Sequence, residues 1–417
     1  MTMVKDLKPT VDSALRVAFV GSVISEELCH QSSAWCAAGN KYQIGFLRGL
    51  EAAIPQPPYV ISTQPMPMYP RSHVIFSRAA AFRVSDLTNA TLVPFLNVPI
   101  LKQTTMLLSV FMHLAVWLWR TRKSNNRVVL VFNVFSPLSL SVLGATALFG
   151  GTPVAIIADL PHDEYDFKGI GHGLLELIDF FVQTHSISRF AAIIPLTHQI
   201  AEDFAPGLPS LVIEGGVETD IVEKVDAMSI HSQSTMPAHN KSVFYSGAIN
   251  DINGVDLLIQ AFRLLPDPHY RLHIFGQGPM EPMVREAMDQ DKRVFYGGVL
   301  PIREIMRRQA QATVLVNPRP SYRRITRYTF PSKVLEYMVS GRPTITTVLP
   351  GIPEEYYPYL YLLRDETPEG LAQLIEDVCS ESATKLEQRG QQARDFVLQN
   401  KNWGCQGKRI YEFIRKP

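Results

Sequence analysis

The sequence predicts an α/β protein made of two doubly wound parallel-sheet domains facing across a cleft. Three observations carry that expectation. The 417 residues exceed the roughly 100–200 that one compact domain holds. Short runs rich in Val, Ile, Leu and Phe alternate with helical patterns, and strands apolar on both faces belong to parallel sheets covered by helices. The alternation stops at a polar stretch without periodicity, Ser229-Ile230-His231-Ser232-Gln233-Ser234-Thr235-Met236-Pro237, and then restarts. The expected division is a first domain over 1–220, a linker over 221–241, a second domain over 242–395, and a closing helix within 396–417 that packs near or back onto the first domain.

In the first half, continuous apolar runs predict strands over 16–21, 74–76, 91–95, 128–133, 153–158, 192–195 and 211–214. Helical patterns fall over 41–52, 104–120, 138–148 and 174–182. The run 104–119 is apolar, contains His113 and leads into Arg120, Arg122 and Lys123. It is shorter than the roughly 20 residues of a span, so it reads as a buried or interfacial helix whose basic exit suits anionic headgroups. In the second half, strands are expected over 243–246, 270–275, 294–296, 313–316 and 344–347. Helices follow over 255–264, 279–289, 302–310, 332–340 and 368–379, with a last one over 403–414.

Composition narrows the function. Hydrophobic residues make up 46% and charged residues 19%, which supplies a full core and argues against disorder. A net charge of +1 gives no reason to expect a nucleic-acid partner. Cys29, Cys36, Cys379 and Cys405 form no Cys-x-x-Cys pair, so neither a zinc module nor a disulfide scaffold is expected. Free thiols and a polar start through Asp12 point to the cytoplasm rather than secretion.

Ligands of doubly wound sheets bind outside the carboxyl ends of strands. The richest loop there begins at Asn317 and carries Arg319, Arg323, Arg324 and Arg327 before Pro331-Ser332-Lys333 opens a helix. Free N–H groups and the positive dipole end make a helix start an anion site. Ser332, Lys333 and Glu336 share one helical face at three- and four-residue spacing. Ser332 and Lys333 would hold a diphosphate, and Glu336 would accept hydrogen bonds from a ribose diol. A capped surface helix with a Lys–Glu pair has the same spacing; the guanidiniums favour phosphate. Gly276-Gln277-Gly278 lacks the third glycine of a dinucleotide fingerprint, and no Gly-Lys-Ser/Thr loop or Gly-x-Ser-x-Gly elbow is present. Asp289-Gln290-Asp291 spells a metal-binding Asp-x-Asp pattern, but it lies between a helix end and a strand start and reads as a surface turn.

The run Phe330-Pro331-Ser332-Lys333-Val334-Leu335-Glu336-Tyr337-Met338, then Ser340-Gly341-Arg342-Pro343, resembles the donor-site helix of GT-B glycosyltransferases, in particular the family 4 retaining enzymes of bacterial polysaccharide assembly. Other stretches agree in order: Phe244-Tyr245-Ser246-Gly247 with Asn253-Gly254-Val255-Asp256, Phe275-Gly276-Gln277-Gly278-Pro279, Tyr296-Gly297-Gly298-Val299-Leu300-Pro301, and Pro350-Gly351-Ile352-Pro353-Glu354-Glu355. The resemblance is strong over 240–380 and loose over 15–220. It implies two Rossmann-like domains, a nucleotide-diphosphate sugar as co-substrate, and transfer with retention to a glycan or lipid-linked acceptor. No permanently bound cofactor and no metal are expected, and peripheral contact with the inner membrane face is.

Within that resemblance, Gly21, Gly247, Val299, Leu300, Ser332, Lys333, Glu336 and Tyr328 are assigned to the donor, and Asn40 and Lys41 to the acceptor side. Lys333, Arg319, Asp159 and His162 are the catalytic candidates. Asp159 and His162 follow the 153–158 strand, where the family often places a sugar-contacting His or Asp; a helix cap or loop hydrogen bond is the plainer reading of both. Two departures stand out. The first of two glutamates seven residues apart is Tyr328, and the Arg and Lys of the loop after the first second-domain strand are Ala248 and Asn253. Arg319 and Lys333 are expected to supply the missing charge. An epimerase or phosphorylase of the same fold, or a silent nucleotide-sugar binder, shares these features.

Overall fold

The structure is a computed structural model that describes residues 15–25, 28, 37–159, 181–219 and 241–416. It divides into two compact units, Met1–Pro195 with Ala201–Leu211 and Gly407–Pro417, and Leu196–Ile200 with Val212–Gln406. The expected linker lies outside the described residues except for residue 241, as does the 174–182 helix except for its last two residues. Cys379 and Cys405 are free thiols, and Cys29 and Cys36 lie outside the described residues.

The first unit contains β1 (Arg16–Gly21), β2 (Tyr59–Ser62), β3 (Phe76–Ser77), β4 (Ala80–Arg83), β5 (Asn89–Leu92), β6 (Phe95–Leu96), β7 (Arg127–Phe132), β8 (Thr152–Ile157) and β9 (Ala192–Pro195). Seven of them form a sheet in the order β4-β5-β2-β1-β7-β8-β9. All neighbours are parallel except β4 against β5. Winding runs outward from β1 through β2 and β5, then resumes at β7 and continues the other way, so its direction reverses between β1 and β7. Val17 to Gly21 are all buried, as continuous apolar strands require. The helix Leu101–Arg120 buries Met106, Val110, Leu114 and Leu118, one per turn, and packs on the helix Ser136–Phe149.

The second unit contains β10 (Lys241–Ser246), β11 (Tyr270–Phe275), β12 (Val294–Tyr296), β13 (Val314–Asn317), β14 (Thr344–Thr347) and β15 (Tyr361–Leu363). They form one parallel sheet in the order β12-β11-β10-β13-β14-β15, with the reversal between β10 and β13. Its core is the apolar face of β10, β11 and β13 against the helices Val255–Leu264 and Pro368–Ser380. Elsewhere in this unit Lys401, 3% exposed, is ion-paired to Glu214 and Glu355 at 2.6 Å each, and Tyr356 donates to the same Glu214 oxygen at 2.7 Å. Its buried ammonium is thus compensated.

The structure departs from the sequence reading in local ways. The expected strand over 211–214 is irregular; just before it, Ser210 makes an isolated bridge to Ile193. The four residues of β2 follow Pro57-Pro58, which hides them. The helix Ala383–Asn400 buries only Gly390, Ala393 and Val397, a stripe too small to register as an apolar face.

Candidate functional site

A ligand of the second unit is expected where the winding reverses, outside the carboxyl ends of β10 and β13. Two loops meet there. The one after β10 runs from Gly247 to Gly254, and the one after β13 runs from Pro318 to Pro331. They are fitted closely: Gly254 has φ +67°, and a Cβ on it would lie 2.1 Å from the Pro318 carbonyl oxygen, so only glycine lets the loops touch. An ion pair between Arg323 and Asp251 at 2.6 Å joins them again. Ser321 donates its backbone N–H (2.8 Å) and its hydroxyl to Glu366, anchoring the far end of the second loop.

Lys333 enters this junction from the helix Ser332–Val339. Its ammonium donates to the Tyr245 hydroxyl at 3.0 Å and to Asn253 Oδ1 at 3.1 Å, and it lies 4.4 Å from the centre of the Tyr245 ring. Tyr245 donates in turn to the Ala248 carbonyl at 2.7 Å, which fixes its oxygen as an acceptor toward Lys333. Gly247, with φ +148°, passes so close that a Cβ there would stand 3.0 Å from Nζ. Desolvation lowers the Lys333 pKa to about 7; the Arg319 guanidinium pushes the same way and the Glu336 carboxylate opposes both. The residue keeps part of its surface in solvent while protein surrounds the amine, so the shift belongs to the amine's own surroundings. A second anchor fixes the helix: Tyr337 accepts from the Ser246 N–H at 2.9 Å and donates to the Ser246 carbonyl at 3.1 Å.

The structure thus gathers Gly247, Arg319, Lys333 and Glu336, with Ser332 exposed on the first turn of the same helix. Pro331 is the cap of that helix and brings no side-chain hydrogen bond to it. The four arginines divide. Arg319 is buried beside Lys333, Arg323 is engaged with Asp251, and Arg324 and Arg327 are exposed. Tyr328 is buried at the end of the short helix Arg324–Tyr328 rather than presented on a surface. Val299 is exposed, and Leu300 packs against the cluster of Phe244 and Phe275. Their loop is held by the Gly276 N–H, which donates to the Gly298 carbonyl at 2.8 Å.

Sequence reading missed Tyr245 and treated Asn253 as a lost cation. The structure shows instead that Asn253 holds the remaining one. The available signal was a pair of oxygen-bearing residues on either side of Gly247, Tyr245 at the end of β10 and Asn253 in the loop after it; which cation they face depends on a contact 88 residues away in sequence.

The reversal point of the first unit is built differently. Gly21 ends β1, and the Ser22 N–H donates to Gln43 Oε1 at 2.9 Å. Asn40, assigned to an acceptor, is buried and pinned to Ile24, accepting its N–H at 3.0 Å and donating to its carbonyl at 3.1 Å; it shapes the loop. Lys41 is exposed. Beyond β7, Asn133 has φ +56°, and its Oδ1 accepts the N–H groups of Ala158 (2.9 Å) and Asp159 (3.1 Å). Its Nδ2 donates to the Asp159 carboxylate at 3.3 Å. Desolvation raises the Asp159 pKa against that hydrogen bond, although the residue keeps an exposed edge. His162 lies outside the described residues.

No group of three or more metal-ligating side chains occurs among the described residues. Asp291 of the Asp-x-Asp pattern is paired with Arg293 at 2.8 Å, which holds its carboxyl below the usual range.

Residues 240–381 match the family model described as glycosyl transferases group 1. No match was found among curated proteins. Three solved structures are similar along nearly the whole chain. Sucrose-phosphate synthase from Thermosynechococcus elongatus is 15% identical, with 96% of this chain and 98% of that chain covered and a TM-score of 0.66. HepE from Anabaena, in complex with UDP, is 14% identical, with 97% and 100% covered and a TM-score of 0.64. Trehalose 6-phosphate synthase from Burkholderia multivorans is 10% identical, with 96% of each chain covered and a TM-score of 0.64. The chain therefore has the GT-B fold, and residues 240–381, in its second unit, match the group 1 glycosyltransferase model.

Proposed function

We propose that this enzyme transfers a sugar from a nucleotide-diphosphate sugar to a glycan or lipid-linked acceptor, with retention of anomeric configuration and no metal ion, in the manner of the family 4 enzymes of bacterial polysaccharide assembly. The observation that carries the reading is the pair Lys333 and Arg319 held at the reversal point of the second sheet. Negative charge grows on the diphosphate as the glycosidic bond breaks. A preorganised cation there stabilises the transition state by about 3–4 kcal/mol in comparable oxyanion sites. Lys333 suits the task because its ammonium is already fixed by Tyr245 and Asn253 and needs no reorganisation. Arg319 adds a permanent charge, Ser332 a hydroxyl donor, and Glu336 an acceptor for the ribose diol. Gly247 leaves room for phosphate, and the Val299-Leu300 loop meets the base. Retention follows if the acceptor attacks on the side of the departing diphosphate, whose oxygen takes the acceptor proton; no protein nucleophile is needed. Asp159 and His162 would position the sugar or acceptor. As a consumer of nucleotide sugars, the enzyme is placed in the cytoplasm. HepE structures with UDP-glucose support the class of donor.

A thermal-shift screen of UDP-, GDP-, ADP- and TDP-sugars identifies the base. Transfer from the stabilising donor to glycan acceptors is then followed by NMR after exhaustive chelation. A product with the donor's anomeric configuration is expected at undiminished rate. Inversion, a strict metal requirement, or epimerised donor without transfer would each overturn the corresponding part of the proposal, and binding without any turnover would favour a silent binder.

A further inference from the structure

The turn after β7 closes on the turn after β8, beside the reversal of the first sheet. The two strands run in parallel register with Phe132 opposite Ile156, so Asn133 and Asp159 leave them at the same carboxyl edge, where ligands of such sheets bind. Asn133 has φ +56°, a conformation that asparagine tolerates better than most residues, and its N–H donates to the Ile156 carbonyl at 2.7 Å. Its side chain then makes two kinds of contact. Oδ1 takes the N–H groups of Ala158 and Asp159, and two donors at one end of the amide identify that end as the oxygen. An aspartate would close the turn in the same way, since it too offers an oxygen. Only an amide supplies the second contact, in which Nδ2 donates to Asp159 Oδ2 at 3.3 Å. Surrounding protein desolvates that carboxylate and raises its pKa, and the Asn133 amide is the group among the described residues that opposes the shift.

We propose that Asn133 is a positioning residue for sugar transfer: its amide holds the Asp159 carboxylate in one orientation, as the acceptor of a hydrogen bond from a hydroxyl of the transferred sugar or its acceptor. The inference rests on the reaction proposed above and adds to it the residue that orients Asp159. An ionised carboxylate accepts from a hydroxyl more strongly than a neutral one, and burial alone favours the neutral form. A single neutral N–H donor offsets that tendency and leaves lone pairs on both oxygens for a ligand. An arginine in its place would occupy both oxygens through its fork and cancel the charge. The competing account is that Asn133 merely caps the turn. Capping needs only an oxygen that accepts the two N–H groups, whereas positioning needs Nδ2 as well.

Asn133→Asp separates the two accounts, because it keeps an oxygen for both N–H groups and sets a second carboxylate against the first. Adjacent carboxylates titrate as a pair, with one of the two values strongly raised. The acid limb of the kcat profile should therefore move up by about two pH units, so that transfer falls by up to roughly 100-fold on that side and recovers as pH rises. Calorimetric affinity for the nucleoside diphosphate should stay at the wild-type value, since Lys333 belongs to the second unit, and shows that the variant is folded. Asn133→Gly suits the positive φ but has no amide. It should raise the apparent pKa of the Asp159 carboxyl carbon in 13C NMR, the signal being the one that Asp159→Asn removes. A wild-type pH profile in Asn133→Asp, a loss of equal size at every pH, or an unchanged Asp159 titration in Asn133→Gly overturns the proposal. Failure of the wild type to transfer sugar from any donor would end the proposed reaction and this inference together, whereas transfer that ignores both Asn133 substitutions ends this inference alone.

Discussion

The two sheets reverse their winding at corresponding places, between β1 and β7 in one unit and between β10 and β13 in the other, yet the side chains lining the two reversals differ in kind. Beside β1 the groups are mostly neutral amides. Gln43 holds Ser22, Asn40 holds both backbone groups of Ile24, and Asn133 collects two N–H groups and the Asp159 carboxylate. Beside β10 stand two cations, Lys333 and Arg319, close enough to lower the proton affinity of the first. Amides satisfied by backbone fix a loop and have little left for a charged ligand. Adjacent cations in a desolvated place repel each other until an anion arrives. Topology determines where a ligand goes; the loop residues determine which ligand.

The comparison breaks most visibly at Gly254. A Cβ there meets the Pro318 carbonyl, and φ is +67°, so Gly254→Ala should destabilise the protein by about 3 kcal/mol or more and abolish diphosphate binding. Denaturant unfolding with and without nucleotide reads both; wild-type stability would mean that the two loops do not need their close fit. Asn253→Ala and Tyr245→Phe each remove one acceptor from the Lys333 ammonium. Each should weaken diphosphate binding roughly ten-fold, with a lower apparent pKa for the group that governs it; unchanged pH profiles would leave those two residues as packing only.

pH sharpens the contrast because two quantities move oppositely. With the Lys333 pKa lowered to about 7 in the fold, from 10.5, the unfolded chain binds more protons between those values. This group's contribution to stability therefore rises with pH across that window. Diphosphate prefers the ammonium, so affinity should fall as pH climbs above about 7, with proton uptake on binding near pH 8. Calorimetry in buffers of different ionisation enthalpy measures that uptake, and its absence would contradict the assigned charge state. The smallest effect belongs to the amide-lined side. Asn40→Ala should cost about 1–2 kcal/mol of stability and leave diphosphate affinity unchanged in calorimetric titration; a parallel loss of affinity would erase the division between the two regions.

Much of this was legible in the sequence where the physics is local. Strands such as 16–21, 192–195 and 270–275 are short apolar runs bounded by breakers, and the structure has them with those bounds. Ser332, Lys333 and Glu336 declare a shared face by spacing alone. What was not legible depends on distant contacts. Asn253 lies 80 residues from Lys333 in sequence, and nothing near it announces that it holds an ammonium. Asn40 has the composition and place of a ligand-facing residue, but its amide is used by Ile24, a loop contact that no periodicity encodes. The helix Ala383–Asn400 shows the same limit: its buried stripe is only Gly390, Ala393 and Val397, too narrow to read as an apolar face.

The account rests on the Lys333 amine as the group that receives the diphosphate. The most direct test is calorimetric titration of the wild type and Lys333→Ala with the nucleoside diphosphate chosen by the thermal-shift screen, and in parallel with its parent nucleoside. The prediction is a loss of about 100-fold for the diphosphate and no change for the nucleoside. Equal diphosphate affinity in the two proteins, or an equal loss for both ligands, would contradict it.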